Sequence, residues 1–285
     1  MRTSMRIDFT KMHGAGNDFI VLEAPRGAPL SRGQWRGLAD RHTGIGFDQA
    51  LVLEPPRRAG TAVYYRIFNC DGAEVEQCGN GARCIAAFLH RTGRVGTGEV
   101  RMDSAGGEVR ARVLGPDLVS VSMGVPDFSP AALPFDAPAE QPLYDLAAGG
   151  TTVQVGAVSV GNPHVVLEVA AVDEAPVVEL GAAIESHRRF PRRVNVGFMQ
   201  VVDRGELRLR VFERGAGETL ACGTGACAAV AVGRRRGLLD PEVTVHARGG
   251  DLRVHWQGPG EPVWLTGPAA VAFSGHVDIR PDSRP

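Results

Sequence analysis

Cys78 and Cys222 stand in two copies of one segment. The first runs Phe68-Asn-Cys-Asp-Gly-Ala-Glu-Val-Glu-Gln-Cys-Gly-Asn-Gly-Ala-Arg-Cys84, the second Phe212-Glu-Arg-Gly-Ala-Gly-Glu-Thr-Leu-Ala-Cys-Gly-Thr-Gly-Ala-Cys227. Phe68 and Phe212 are 144 residues apart, as are Cys78 and Cys222. Each copy sets a cysteine before Gly-x-Gly-Ala, where an alanine-rich stretch without proline begins. That pattern predicts a helix start. A helix N-terminus carries unpaired N–H groups and partial positive charge, so it favours a thiolate and binds a carboxylate. The Gly-x-Gly removes side chains and would let a ligand approach the amides. Two such thiols facing one planar intermediate would suit acid–base chemistry at a carbon next to a carboxylate, with the amides stabilising the charge left when the proton leaves.

The rest of the chain narrows the class. Its 285 residues suffice for two domains, and 44% apolar with 22% charged residues is the composition of a globular protein. A net charge of −1 gives no reason to expect nucleic acid or a membrane surface as partner. No apolar run has transmembrane length, and Met1–Thr10 has no signal-peptide pattern. Five cysteines, an odd number, point to free thiols and a cytoplasmic setting rather than a disulfide framework. No Cys-x-x-Cys or His-x-x-x-His pair suggests a structural metal. Lys11 is the only lysine, at the end of a short apparent strand, a poor place for a pyridoxal phosphate Schiff base. Chemistry at an amino-acid α-carbon is therefore expected to need no cofactor.

The repeat extends beyond the thiols. Gly16-Asn17 through Glu23 resembles Gly161-Asn162 through Glu168, and Gly46-Phe-Asp-Gln49 resembles Gly197-Phe-Met-Gln200, at offsets of 145 and 151. The expected architecture is α/β (α+β): two pseudo-symmetric domains, each a strand-rich layer around a central helix, with the site in the cleft between them. The boundary falls at a run with proline at every fourth position, Pro126 to Pro142, read as an exposed connector. This gives halves at 1–125 and 126–285, with the tail from about 268 to 285 rejoining the first. Thr61–Asn69 and Glu206–Glu213 alternate as strands. Glu99–Ser104, Glu108–Leu114 and Leu118–Met123 read as a meander. Ala82–His90 and Ala226–Arg236 read as apolar helices stopped by Gly93 and Gly237. Gln34–His42 and Val177–His187 read as surface helices, and Arg234–Arg236 as a solvated helix end.

Plain alternatives exist for most of these residues. Cys70, Cys84 and Cys227 read as small core hydrophobes. Cys78 and Cys222 could join in a disulfide if oxidised. Taken singly, Asn17 and Asn162 are equally turn caps after glycine, Gln49 a strand-edge amide, His164 a core histidine and Arg214 a surface ion-pair partner. A ligand-binding or thiol-redox protein would also use helix N-termini, but leaves the doubled Cys-Gly-x-Gly unexplained. Neither copy matches a nucleotide-binding loop.

His13-Gly-Ala-Gly-Asn-Asp-Phe19, Gly44-Ile-Gly-Phe-Asp-Gln49, Gly161-Asn-Pro-His164, Asn195-Val-Gly-Phe198 and both cysteine segments together resemble the diaminopimelate epimerase family over nearly the whole chain. The cysteine motifs alone would also fit proline and hydroxyproline racemases; the opening His-Gly-x-Gly-Asn-Asp-Phe and Gly-Phe-Asp-Gln elements separate the two. The resemblance implies interconversion of LL- and meso-2,6-diaminopimelate without cofactor or metal, feeding lysine and peptidoglycan synthesis, in a homodimer. It implies Cys78 and Cys222 as acid and base. Gly79, Asn80, Gly223 and Thr224 would hold the reacting carboxylate. Asn17, Gln49, Asn69, Asn162, Asn195, Glu213 and Arg214 would bind the remaining groups, and His164 and Glu213 would tune the thiols. The copies differ where Asn69 aligns with Glu213 and Cys70 with Arg214. Because the substrate is asymmetric about the reacting carbon, Asn69, Glu213 and Arg214 are expected to read its distal end.

Overall fold

The computed structural model describes residues 5–25, 30–75 and 78–279. The chain forms two compact units, one taking it to Val121 and again from Gly267, the other spanning Ser122–Thr266. The first unit contains β1 (Met5–Gly14), β2 (Asn17–Glu23), α1 (Arg32–Ala39), β3 (Gln49–Glu54), β4 (Tyr64–Asn69), β5 (Glu74–Val75), α2 (Gly79–Arg91), β6 (Gly98–Ser104) and β7 (Gly107–Gly115). β8 (Leu118–Ser122) leads out of it. The second contains β9 (Tyr144–Ala148), β10 (Thr151–Ser159), β11 (Pro163–Glu168), α3 (Val177–Glu185), β12 (Asn195–Asp203), β13 (Glu206–Glu213), β14 (Gly217–Thr219), α4 (Gly223–Arg235), β15 (Glu242–Ala247) and β16 (Gly250–His255). β17 (Trp264–Pro268) leads back, and β18 (Ala270–Ile279) pairs antiparallel with β1.

The two units share one internal plan. β1–β2 is antiparallel, β2–β3 parallel, β3–β4 antiparallel and β4–β6 parallel, followed by the antiparallel meander β6–β7–β8. In the second unit β10–β11, β11–β12, β12–β13 and β13–β15 repeat those senses, and β15–β16–β17 repeats the meander. The mixed, strand-rich α/β class expected from the sequence is the observed one.

The register corrects one part of the sequence repeat. Gln49 lies opposite Asn69 and beside Phe19. In the second unit Asn195 lies beside His164, and the β12–β13 register, with Val196 opposite Phe212, carries Asn195 to Glu213. Gln49 therefore corresponds to Asn195, not to Gln200. The Gly-Phe-x-Gln match was fortuitous; Gln200 instead accepts the Val172 amide at 3.0 Å.

Each cysteine-headed helix is the centre of its unit. α2 buries nine of its thirteen residues, and α4 likewise. Alanine at Ala82, Ala86, Ala87, Ala226, Ala228, Ala229 and Ala231 lets strands approach the helix closely on several sides. α1 and α3 sit outside, covering separate cores around Trp35 and Phe68 and around Phe190 and Phe198. Both central helices stop as expected: Gly93 and Gly237 have φ of 71° and 75°, and the next amides, Arg94 and Leu238, reach back to Leu89 and Gly233.

Three expectations fail locally. The proline run is not merely an exposed connector. Leu133 is fully buried and Phe135 stacks on Phe190 at 4.5 Å, because the run carries apolar residues between its prolines. Cys70 is exposed rather than in a core, since it opens the turn between β4 and β5. The arginines ending α4 are half-buried, with Arg235 paired to Glu140 at 2.8 Å and Arg236 to Glu168 at 2.7 Å.

Candidate active site

In the first unit Cys78 is the N-cap of α2, with extended backbone, and its sulfur accepts from the Gly81 amide at 3.4 Å. Asn80, the second helical residue, is buried. Its Nδ2 donates to Asn17 Oδ1 at 2.6 Å, and Asn17 Nδ2 donates to Asp48 Oδ2 at 3.2 Å. The strand start bearing Asn17 is thus tied to the helix start bearing Gly79. Gln49 Nε2 donates to Asn69 Oδ1 at 2.9 Å across β3–β4, which fixes both amides. Asp48, the acceptor of Asn17, belongs to a charge cluster not expected from the sequence. Arg41 grips both oxygens of Asp18 at 2.8 Å and reaches Asp48 at 2.8 Å, while Lys11 is bonded to Asp18 at 2.5 Å and to the Gly46 carbonyl. Burial pushes the Asp18 carboxyl up, but hydrogen bonds and charge from Arg41 and Lys11 outweigh it and hold the group well below the usual range.

In the second unit Cys222 is the N-cap of α4, and its environment differs. The sulfur is buried and lies 3.4 Å from the Thr224 hydroxyl. His164 Nε2 lies 3.0 Å from both Asn162 Oδ1 and Thr224 Oγ1, and Asn162 Nδ2 donates to Thr224 Oγ1 at 3.3 Å. Asn162 Oδ1 can only accept, so Nε2 carries the ring proton. The Thr224 hydroxyl proton is then free to turn to Cys222. A helix N-terminus alone would depress this thiol, but the expected depression is overturned by the enclosure of Cys222. Burial pushes the Cys222 thiol far up, Glu213's charge adds to this, and the Thr224 hydrogen bond offsets only part. Glu213 itself accepts from the Thr219 hydroxyl at 2.6 Å.

Asn195 serves as a brace within this unit. Its Oδ1 accepts the Arg214 amide at 3.0 Å and its Nδ2 donates to the Pro163 carbonyl at 2.9 Å. The brace holds the turn that carries Arg214, whose guanidinium is exposed and reaches the Arg192 carbonyl at 3.3 Å. Within the units, hydrogen bonds join Asn17 to Asn80, Gln49 to Asn69, Asn162, His164 and Thr224 to one another, and Asn195 to Arg214.

The second glycine of each motif also has a packing role. A Cβ on Gly81 would stand 2.9 Å from Leu51 Cδ2, and one on Gly225 would stand 2.9 Å from Val211 Cγ2 and 3.4 Å from Cys222 Sγ. These glycines let a strand side chain pack under the helix start. Gly225→Ala is expected to push Val211 and Cys222 apart and to cost about 1–3 kcal/mol. Chemical denaturation with parallel activity assays would register both effects; unchanged stability would contradict the packing role.

His164 is fully buried, and burial first, with Arg214's charge second, lowers its pKa to about 3. Its Nδ1 has no hydrogen-bond partner among the described residues, so a second ring proton would face no acceptor. An unfolded histidine protonates near pH 6.5. The neutral ring therefore contributes stability fully above that pH, and the contribution is lost as pH falls toward 3. His164→Gln is expected to flatten the fall of Tm between pH 6.5 and pH 4. Parallel curves for the two proteins would contradict it.

The sequence model of the family described as diaminopimelate epimerase matches residues 9–129 and 156–272. A diaminopimelate epimerase of Chromobacterium violaceum is 55% identical over 276 residues, covering 96% of this chain and 100% of the relative. One from Azoarcus sp. strain BH72 is 55% identical over 277 residues, with the same coverage. Among solved structures, a hydroxyproline epimerase from Agrobacterium vitis superposes with a TM-score of 0.69 at 16% identity, covering 96% of this chain and 92% of its own. A structure described as a predicted epimerase from Pseudomonas aeruginosa gives 0.68 at 17% identity, covering 97% and 100%. At those identities the structures establish the shared fold.

Proposed function

The chain belongs to the diaminopimelate epimerase family and epimerises diaminopimelate; we propose that it does so with Cys78 and Cys222 as the two bases at one α-carbon. One thiolate takes the α-proton from one face, and the opposite thiol gives a proton to the other. Inversion of a planar intermediate needs both groups, and the reversed reaction swaps their labels. The observation that carries this is the paired N-cap geometry: both cysteines cap the buried central helix of their unit, each at the same place in a repeated plan.

The first-turn amides of α2 and α4, with Gly79, Asn80, Gly223 and Thr224, bind the reacting carboxylate and take up the charge that develops as the proton leaves. Thr224 steers its hydroxyl to Cys222 under the control of Asn162 and neutral His164, so His164 acts on the thiol through geometry rather than charge. Asn17, Gln49, Asn69, Asn162 and Asn195 orient the amino and carboxylate groups. Glu213 disfavours an anion at Cys222, and the Arg214 guanidinium grips the distal carboxylate as a planar fork. The mechanism calls on no cofactor, and Lys11 is buried and bonded to Asp18, not placed to form a Schiff base. The enzyme acts in the cytoplasm as a homodimer, serving lysine and peptidoglycan synthesis. Free thiols at all five cysteines suit that setting, and no helix among the described residues is long and apolar enough to cross a membrane.

Incubation of the reduced protein with LL-diaminopimelate in D₂O, followed by proton NMR, tests the function. The α-proton signal is expected to fall as the meso isomer forms, with proline left unexchanged. Exchange of proline in preference to diaminopimelate would overturn the substrate assignment.

A further inference from the structure

At one buried position that the two-thiol mechanism leaves unused, the two central helices differ in charge. Arg83 stands five residues after Cys78, and the residue 144 positions further on is Cys227. Both are completely buried. Arg83 turns back along α2 toward its start. Its Nη2 donates to Asn80 Oδ1 at 2.8 Å, and its Nε donates to the Pro268 carbonyl at 3.5 Å. A Cβ on Gly14 would stand 2.6 Å from that Pro268 carbonyl oxygen, so the glycine at the end of β1 lets the acceptor of Arg83 sit close. Arginine remains charged when buried, and here its charge adds to that of the helix N-terminus. α4 has a thiol at the matching place.

We propose that Arg83 makes the thiol pair unequal: it holds Cys78 as the thiolate in the free enzyme while Cys222 keeps its proton, and through Asn80 it fixes the orientation of Asn17. The proposal rests on the assignment of Cys78 and Cys222 as the acid–base pair. In one turnover a proton passes from carbon to Cys78 and another from Cys222 to carbon. The product complex then holds the reverse distribution, and Arg83 favours its return once product leaves.

The other groups facing Cys78 agree with this. Among the described residues they include Cys84 from the same helix and Tyr65 from β4, the latter beside Asp103 and Ser104 of β6. Burial pushes the Cys84 thiol up to about 12 and the Tyr65 hydroxyl well up, so both stay neutral at working pH. Facing Cys222 are Glu213 of β13 and Thr224 of α4, a negative charge and a neutral hydroxyl. Asn80 links the charge to substrate binding. Its oxygen is occupied by Arg83, which turns its Nδ2 toward Asn17. Arg83 is thus a positioning residue, acting through Asn80 and through the field at the start of α2.

The test is the pH profile of alkylation by iodoacetamide without substrate, with labelled cysteines separated by peptide mass mapping. In the unaltered protein Cys78 is expected to titrate at lower pH than Cys222; the reverse order overturns the proposal, whatever the variants do. Arg83→Gln is expected to slow Cys78 alkylation at pH 7 about tenfold or more and move its profile to higher pH. Arg83→Lys, which keeps the charge and loses the fork, is expected to retain the profile. If Arg83→Gln folds and leaves the Cys78 profile where it was, or if Arg83→Lys moves it as far, Arg83 is only a structural link. The profile is read without turnover, so it can fail while the two-thiol mechanism stands, and the mechanism can fail while the profile holds.

Discussion

Cys78→Ala and Cys222→Ala are each expected to lower epimerisation by about 10²- to 10⁴-fold while leaving the protein folded. The loss should be of the same order for both, because inversion needs a group on each face and neither thiol can serve both. The surviving thiol still reaches one face. Each variant should therefore exchange the α-proton of one stereoisomer with solvent, slowly and without inversion, and the two variants should choose opposite configurations at the reacting carbon. Chiral separation of substrate recovered from D₂O measures both parts. A variant keeping more than a tenth of the inversion rate would mean that one base suffices. The double variant should lose both exchange activities.

Arg214→Gln is expected to lower kcat/KM for diaminopimelate on the order of 100-fold, the scale for losing a bidentate charge-assisted contact. Asn195 holds the backbone of this residue and Pro163 together, so the turn should survive loss of the side chain. Lysine is diaminopimelate without the second carboxylate. Any slow α-proton exchange it undergoes should be nearly unaffected by the substitution. An equal fall for both compounds would show that Arg214 supports the reacting centre rather than the distal end. Because remote contacts can be expressed in the transition state, part of the loss is expected in kcat as well as KM.

Much of this was legible in the sequence, for identifiable reasons. The cysteine helices announced themselves by alanine content, a capping position and a terminal glycine, all local signals. The strand meander showed through alternation and turn residues. What stayed hidden depended on pairing between distant segments. Gln49 and Asn195 are equivalent only because of strand register, and a four-residue match to Gln200 pointed elsewhere. The unequal thiols were hidden for a related reason. Their motifs are nearly the same, but Cys222 is enclosed with Glu213 and Thr224, and Thr224 is itself held by Asn162 and His164, which lie about sixty residues upstream. Arg83 was visible as a motif residue; its direction was not, since its acceptor at Pro268 lies 185 residues away. Gly81 and Gly225 read as openings for a ligand; that they also leave space for Leu51 and Val211 depends on strands distant in sequence. The proline run misled because its spacing suggested a connector, while Leu133 and Phe135 within it belong to a core.

The most direct test of two opposed thiols is the isotope content of the first product formed. LL-diaminopimelate with protium at both α-carbons is incubated with the enzyme in D₂O, and meso product is isolated before a few per cent has reacted. Two thiols predict that the inverted carbon carries solvent deuterium from the earliest time, while unreacted LL substrate still carries protium. Early meso product that keeps the substrate's own α-proton would mean that a single group carries that proton from one face to the other, and would contradict the two-thiol mechanism.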